Sequence, residues 1–411
     1  MSARSESSSP PAEAGRTGQA VALGLILLTL SWGLLHVGFW DRSAIIDTPV
    51  YQGFGTKMLD GQVPYRDFPV EYPPAALPAF VLPAVAEDEH YGSAFEILMW
   101  TCAVAMVALV AVTLAGVGAS SLRLYGATAF VGLAPLALGS VILSRYDLWP
   151  AALTVGVLAA LVAGRDRLGF GLLGMATAAK LYPGVLVPVA FLWVGKRRGW
   201  RDAAIAAAVF LGVVLAIFVP FAVLSPGGLW DSLSSQLGRP LQIESLGSAF
   251  LLVAHQLGFY DASVVSTHGS QNLAGSFPDA LASILTAVQA IALVLVWVLA
   301  SRGGASRERL LALSAAAVVA FIAFGKVLSP QFLIWLLPLV PLVGGPAGLA
   351  ACGILAATLV ATQLWFPYRY WDLVSLGPEA WLVLVRDVLL VGLFAALLLA
   401  IRQTREAAHS S

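Results

Sequence analysis

The chain has 411 residues, 59% of them hydrophobic and 11% charged, and its 23 basic and 23 acidic residues cancel. Soluble domains carry roughly a quarter charged residues, so this composition excludes a water-soluble globular protein and reads as a multi-pass membrane protein. Zero net charge argues against a nucleic-acid partner.

In chain order, residues 1–18 are rich in Ser, Arg, Glu, Pro and Ala without an apolar run, and read as a disordered cytoplasmic tail. Residues 19–401 read as one transmembrane domain, and 402–411 as a second cytoplasmic tail. The first apolar run, Gly18–Trp40, has no small-residue cleavage site and is longer than a signal-peptide core, so it reads as a retained span. A span needs about 20 apolar residues. Such runs fall near 19–40, 91–115, 122–143, 147–163, 203–224, 279–300, 309–325, 331–344, 348–366 and 379–401, giving about ten full spans. The stretch 168–194 differs, because Lys180-Leu181-Tyr182-Pro183 breaks it near its middle. It is expected to form a helical hairpin, with Pro183 forcing the break and Gly171 and Gly174 allowing close helix approach. Cys102 and Cys352 both lie in apolar runs, so neither a disulfide framework nor a zinc site is expected.

Orientation follows from the basic residues. With both termini inside, fourteen of the 23 Lys and Arg fall on the cytoplasmic side, while seventeen of the 23 Asp and Glu fall outside. That leaves two long outer segments, 41–90 and 225–278, too apolar to be plain linkers. Short helices lying on the bilayer, such as Ser248–Leu257, are expected in them.

The first outer segment carries an acidic insert, IDTPVYQGFGTKMLDGQVPYRDFPVEYPP, with Asp47, Asp60, Asp67 and Glu71 among aromatics and prolines. Asp47 sits between Ile45-Ile46 and Pro49-Val50-Tyr51. It is either a solvated acid near a span end or a semi-buried carboxylate that needs a partner or a task. Tyr65-Arg66-Asp67-Phe68 and Glu71-Tyr72-Pro73-Pro74 read first as a rigid connector, with Tyr65 and Tyr72 suiting a membrane interface.

Four basic residues stand at the outer ends of apolar segments: Arg145 in LSRYDLWP, Lys180 in AAKLYP, Arg239 in GRPLQIES and Lys326 in GKVLSPQF. Snorkelling explains any one of them. Together they would form a pocket for an anion at the depth of the bilayer interface, with phosphate the obvious candidate. His255 and His268 are the two histidines of the second outer segment. No paired metal-ligand spacing and no Gly-rich phosphate loop is present, so no metal site and no cofactor is expected, apart from a divalent cation held loosely by the acidic insert.

These patterns in combination resemble the GT-C glycosyltransferases, in particular the bacterial polyprenyl-phosphate-mannose-dependent α-1,2-mannosyltransferases. The likeness is carried by residues 45–74, SRYDLWP at 144–150, GFGLLGMATAAKLYP at 169–183, GRPLQIES at 238–245 and GKVLSPQFLIWLLPL at 325–339. It runs from about residue 20 to residue 400. The resemblance implies an all-α polytopic fold whose first outer loop supplies the catalytic acid, here Asp47 with Tyr51 close behind. It further implies a polyprenyl-phosphate sugar as donor, a glycolipid or glycan as acceptor, and an active site on the extracytoplasmic face of the cell membrane.

The residues agree in chemistry. Sugar transfer from a lipid phosphate needs a base on the acceptor hydroxyl and positive charge on the departing phosphate. Asp47 fits the first role, and Arg145, Lys180, Arg239 and Lys326 the second. Tyr51, Tyr72, Trp149 and Tyr182 are candidates for a sugar-stacking wall, and Glu244, His268 and Gln331 for polar contacts to sugar or acceptor. A transporter or flippase of a lipid-linked sugar would use the same phosphate site without catalysis. Against it, no inverted repeat of broken helices is visible and charges inside the spans are nearly absent. A non-catalytic scaffold for envelope assembly would tolerate loss of Asp47.

Overall fold

The structure, a computed structural model, describes residues 10–40 and 45–410, with side chains described over 14–40 and 45–404. Residues 1–9 of the expected tail and 41–44 of the first outer segment lie outside these limits. Sixteen α-helices follow in order among the described residues. The first eight are α1 Pro10–Leu34, α2 Thr48–Leu59, α3 Leu77–Val81, α4 Tyr91–Gly116, α5 Ser121–Leu138, α6 Leu148–Val162, α7 Asp166–Ala179 and α8 Val187–Arg198. The second eight are α9 Trp200–Leu224, α10 Pro226–Leu237, α11 Leu246–Gln256, α12 Ser276–Arg302, α13 Arg307–Ala323, α14 Gly345–Gln363, α15 Tyr370–Val374 and α16 Ala380–Ser410. Between α11 and α12 lies an antiparallel hairpin, β1 Val264–Thr267 and β2 Ser270–Leu273.

Among the described residues, seven helices are long and apolar enough to cross a membrane: 14–34, 88–116, 121–138, 200–224, 276–302, 345–363 and 380–404. Three of the segments expected as spans are shorter. Residues 148–162 form the 15-residue α6, α13 has 17 residues, and 330–342 holds two 3-10 helices around Pro330 and Pro341 rather than one α-helix. Proline removes the backbone donor that an α-helix needs, which accounts for the last of these. Both expected tails are helical where described. Helix α1 begins at Pro10 and α16 continues to Ser410. Ala, Glu, Gln and Arg in these stretches are good helix formers and extend helices already started by the apolar runs.

The broken hairpin at 168–194 forms as the sequence suggests. Helix α7 stops at Ala179, Lys180 is extended, Tyr182–Leu186 makes a 3-10 turn, and α8 continues from Val187. The close approach allowed by Gly174 is made to α9 rather than to α8. A Cβ there would lie 2.9 Å from the Phe210 carbonyl oxygen.

Helix α13 occupies the centre of the bundle, buried at nearly every residue and packed on α12, α16 and α8. Around it α14 packs on α16, α1 on α5, α6 on α4 and α7, and α7 on α9. Helix α9 contributes only Ala203 and Ala206 to the interior. Such an apolar, unburied helix suits a lipid surround. The second outer segment is more structured than a pair of surface helices. Helix α11 spans Leu246–Gln256, close to the expected Ser248–Leu257, but it packs on α16 and α12 and buries Gly247, Ser248, Ala249, Leu251, Leu252 and Val253.

Candidate functional site

The start of α2, the segment before α6, the turn after α7, the segment 238–245, the tip of the β-hairpin and the loop 324–331 converge on one cavity of about 480 Å³. This is within the roughly 300–1,000 Å³ of small-molecule sites. Among the residues singled out in the sequence, Asp47, Glu71, Tyr72, Arg145, Lys180, Tyr182, Arg239, Glu244, His268, Lys326 and Gln331 line it.

Asp47 stands at the N-cap of α2 but makes no side-chain cap to the helix. An aspartate there ordinarily caps the helix, a contact worth about 1 kcal/mol. Its carboxylate instead pairs with the buried Arg145 and accepts a hydrogen bond of 3.3 Å from the Tyr51 hydroxyl. Pro49, near the helix start, fixes the turn that aims it. Tyr51 itself does not line the cavity. It is buried against Phe80, with ring centroids 4.6 Å apart, and touches Tyr72, Phe95 and Tyr146. Its expected place in a sugar-stacking wall is therefore corrected: its faces are occupied by packing, and its hydroxyl serves Asp47.

Lys180 reaches the cavity from the extended residue where α7 ends. Its ammonium lies 2.5 Å from Asp147 Oδ1 and 4.6 Å from the centroid of Tyr146. Asp147 is buried and also accepts a 2.6 Å hydrogen bond from the Trp335 indole. Trp335 stacks on Tyr182 at 4.0 Å, and the Tyr182 hydroxyl lies 3.0 Å from Thr154 Oγ1. Tyr182 thus braces the Lys180 site more than it offers a free face. Trp149 is away from the cavity wall, its indole donating to the Ala75 carbonyl.

The other two cations are held differently. Arg239 and Lys326 form no ion pair within 4.0 Å among the described residues. Lys326 donates at 2.9 Å to the Leu237 carbonyl, and Arg239 Nε has no hydrogen-bond partner there. Burial lowers the Arg239 guanidinium from its ordinary value, opposed by Glu71 and Glu244. Glu244 is buried, and burial pushes its carboxyl up to about 7 against the pull of Arg386, Arg145 and Arg239. The Gln242 amide donates to Glu244 and, at 2.8 Å, to Ser329 Oγ.

The hairpin places His268. Thr267 pairs with Ser270, so His268 and Gly269 form a two-residue turn, with φ of 53° and 64°. Two left-handed residues in succession are the turn that matches strand twist. The tip meets Glu71, whose carboxylate oxygens lie 3.4 Å from where a Gly269 Cβ would stand. Of the four acids in the first insert, Asp47 and Glu71 face the cavity, while Asp60 ends α2. Asp67 closes a local turn, accepting from the Val63 amide at 2.7 Å and pairing with Arg66. His255 does not line the cavity and bonds the Tyr260 carbonyl through Nδ1.

Sequence reasoning gave no role to several residues that shape the site. Asp147 stands two places from Arg145 in the same motif, and Tyr146 lies between them. Gln242 lies two places before Glu244. Arg386 and Asp387 interrupt the apolar run of α16 and were visible as adjacent opposite charges, contrary to the expectation that the spans hold almost none.

Comparison with known proteins places the chain. No curated protein matches it. A crystal structure of ArnT from Cupriavidus metallidurans bound to undecaprenyl phosphate is similar, with 14% identity and a TM-score of 0.47, over 96% of this chain and 78% of that one. The model of glycosyltransferase family 87 matches residues 70–330. That interval holds Arg145, Lys180, Arg239, Glu244 and Lys326, and it spans more than half of the sequence. The chain therefore belongs to glycosyltransferase family 87.

Proposed function

We propose that the protein moves mannose from a polyprenyl-phosphate donor to a glycolipid or glycan acceptor on the extracytoplasmic face of the cell membrane, with Asp47 as general base. The observation that carries this reading is the shared cavity, in which the carboxylate of Asp47, with those of Glu71 and Glu244, stands among Arg145, Lys180, Arg239 and Lys326. Family membership supplies the reaction class, and the sequence resemblance supplies mannose and the polyprenyl carrier.

In the proposed step, Asp47 takes the proton of the acceptor hydroxyl as that oxygen bonds to the anomeric carbon. The bond from that carbon to the phosphate oxygen breaks, and its electron pair leaves with the polyprenyl phosphate. Positive groups at the departing oxygen stabilise the developing charge. Phosphate leaves as a stable anion, so no general acid is required, and a single displacement inverts the anomeric centre. Arg239 and Lys326 supply charge that no carboxylate among the described residues pairs with within 4.0 Å. A phosphate arriving at Arg145 competes with Asp47 for the guanidinium and frees the base. Glu71, Glu244, His268 and Gln331 border the remaining space, where sugar hydroxyls would be held.

The test is transfer of radiolabel from polyprenyl-phosphate mannose to native glycolipid extracts by purified protein in lipid. Wild type should label a new lipid. Asp47→Asn should lose at least 100-fold in turnover, in the ~10²–10⁴ range of a general base, while still binding the donor. Wild-type turnover in Asp47→Asn removes it from the mechanism. Donor binding by wild type without transfer points to movement of a lipid-linked sugar instead.

A further inference from the structure

We propose that Arg386, a residue of α16 that does not line the cavity, is a positioning residue for Glu244, and that Asp387 completes the device. Arg386 and Asp387 are both fully buried within the otherwise apolar stretch 380–401 of α16. Ionisable residues in such a segment are costly to place, and face the interior of a bundle. Here the cost has a definite geometry. Arg386 Nη2 donates at 2.5 Å to the main-chain carbonyl of Glu244, and Arg386 Nε lies 2.6 Å from Asp387 Oδ1. The guanidinium sits 5.7 Å from the Trp365 ring centroid.

One side chain thus ties the span to the segment that carries a cavity carboxylate. Gln242 and Ser245 of the same segment are bonded to one another and to the loop before 330, so the carbonyl of Glu244 is the point where α16 takes hold. A neutral donor would satisfy a carbonyl equally well. A guanidinium also places fixed positive charge behind Glu244, and Asp387 moderates that charge. The groups facing Glu244 are Arg386 from α16, Arg145 from before α6, Arg239 from its own segment and Tyr370 from α15, with the Gln242 amide. Burial disfavours the ionised carboxylate, and the three guanidiniums oppose burial. Removing Arg386 therefore favours the protonated form, and neutralising Asp387 favours the ionised form.

This inference rests on the proposed role of the cavity, so its test has one readout without a substrate. The titration of Glu244 is followed by infrared difference spectroscopy of the protonated carboxyl stretch, wild type against Glu244→Gln, on full-length protein in lipid. Arg386→Met should move the midpoint upward by about one pH unit or more, the scale of losing a nearby opposite charge. Arg386→Lys should restore it, and Asp387→Asn should move it downward. In parallel, transfer from polyprenyl-phosphate mannose should show a raised KM and an acid limb displaced to higher pH in Arg386→Met, with kcat less affected. Midpoints that stay fixed in both Arg386→Met and Asp387→Asn, or that move in the same direction, overturn the proposal and leave a structural staple. If Arg386→Met does not fold, the sign of the Asp387→Asn shift decides. Wild type that transfers nothing while the midpoints move as stated defeats the donor assignment and leaves the positioning role standing.

Discussion

At the scale of single residues, Glu244 and Lys180 show how burial and partners set what a charge does. The carboxyl of Glu244 is raised to about 7. Its contribution to folding stability is fully present below the ordinary carboxyl range and is lost as pH rises through about 7. Glu244→Gln should therefore raise the melting temperature relative to wild type more at pH 8 than at pH 6, read by thermal unfolding in lipid or detergent. Lys180 is committed to Asp147, so Lys180→Met leaves a buried carboxylate with only Trp335 as donor. We expect a loss of about 3–5 kcal/mol, the usual result of breaking a buried pair from one side, and substantial recovery in the double variant with Asp147→Asn. Arg239 and Lys326 carry no such commitment. Arg239→Gln or Lys326→Gln should weaken binding of polyprenyl-phosphate mannose by ~1–3 kcal/mol, as for loss of a charged hydrogen-bond partner, with little change in melting temperature. The sequence showed these charges because each stands out against apolar neighbours. It did not show which would be paired, because Lys180 and Asp147 meet only through the packing of α7 on α6.

At the scale of elements, the first outer segment is held by contacts that leave little room. Tyr65 is left-handed, with φ of 67°, and its hydroxyl donates at 2.6 Å to the Tyr72 carbonyl. Its own carbonyl accepts from Ser225 Oγ at 2.9 Å and lies against Gly228 at the start of α10. A Cβ at Gly228 would collide with that carbonyl, so Gly228→Ala must displace either the Tyr65 turn or α10. Both carry cavity residues, Tyr72 on one and Gln236 on the other. We expect Gly228→Ala to lower transfer and to open the segment 62–73 to hydrogen exchange, whereas Gly227→Ala, with open space around it, should do neither. The broken helix at Lys180–Pro183 was readable because proline interrupts a helix wherever the chain goes. The β-hairpin was not read, though His268-Gly269 between VVST and SQNL is a two-residue turn signal. An expectation of helices throughout an apolar chain displaced it.

At the scale of the whole molecule, the bundle is organised around α13, with α9 on the outside. From the charge asymmetry of the sequence we propose that the loop between α12 and α13 lies in the cytoplasm and the hairpin outside. In a background with Cys102 and Cys352 replaced by Ala, a membrane-impermeant maleimide should label Ser263→Cys in intact cells. It should label Gly304→Cys only after lysis. The reverse pattern would invert the orientation and move the cavity to the cytoplasmic side.

The sequence by itself determined that the protein lies in a membrane, that it is helical, and that polar chemistry gathers in a few short motifs. Those properties depend on composition and local order: apolar runs need lipid, helices satisfy their own backbone, and prolines end them. Convergence was decided only by the tertiary structure. Asp47, Arg145, Lys180, Arg239, Glu244 and Lys326 come from segments nearly 280 positions apart at their extremes. The packing of α2, α6, α7, α10 and α13 brings them to one cavity, and the buried Arg386 and Asp387 of α16 stand behind it. Spacing along a chain fixes a side chain's face on its own element, whereas its partner is fixed by which element arrives opposite, a property of the folded bundle alone.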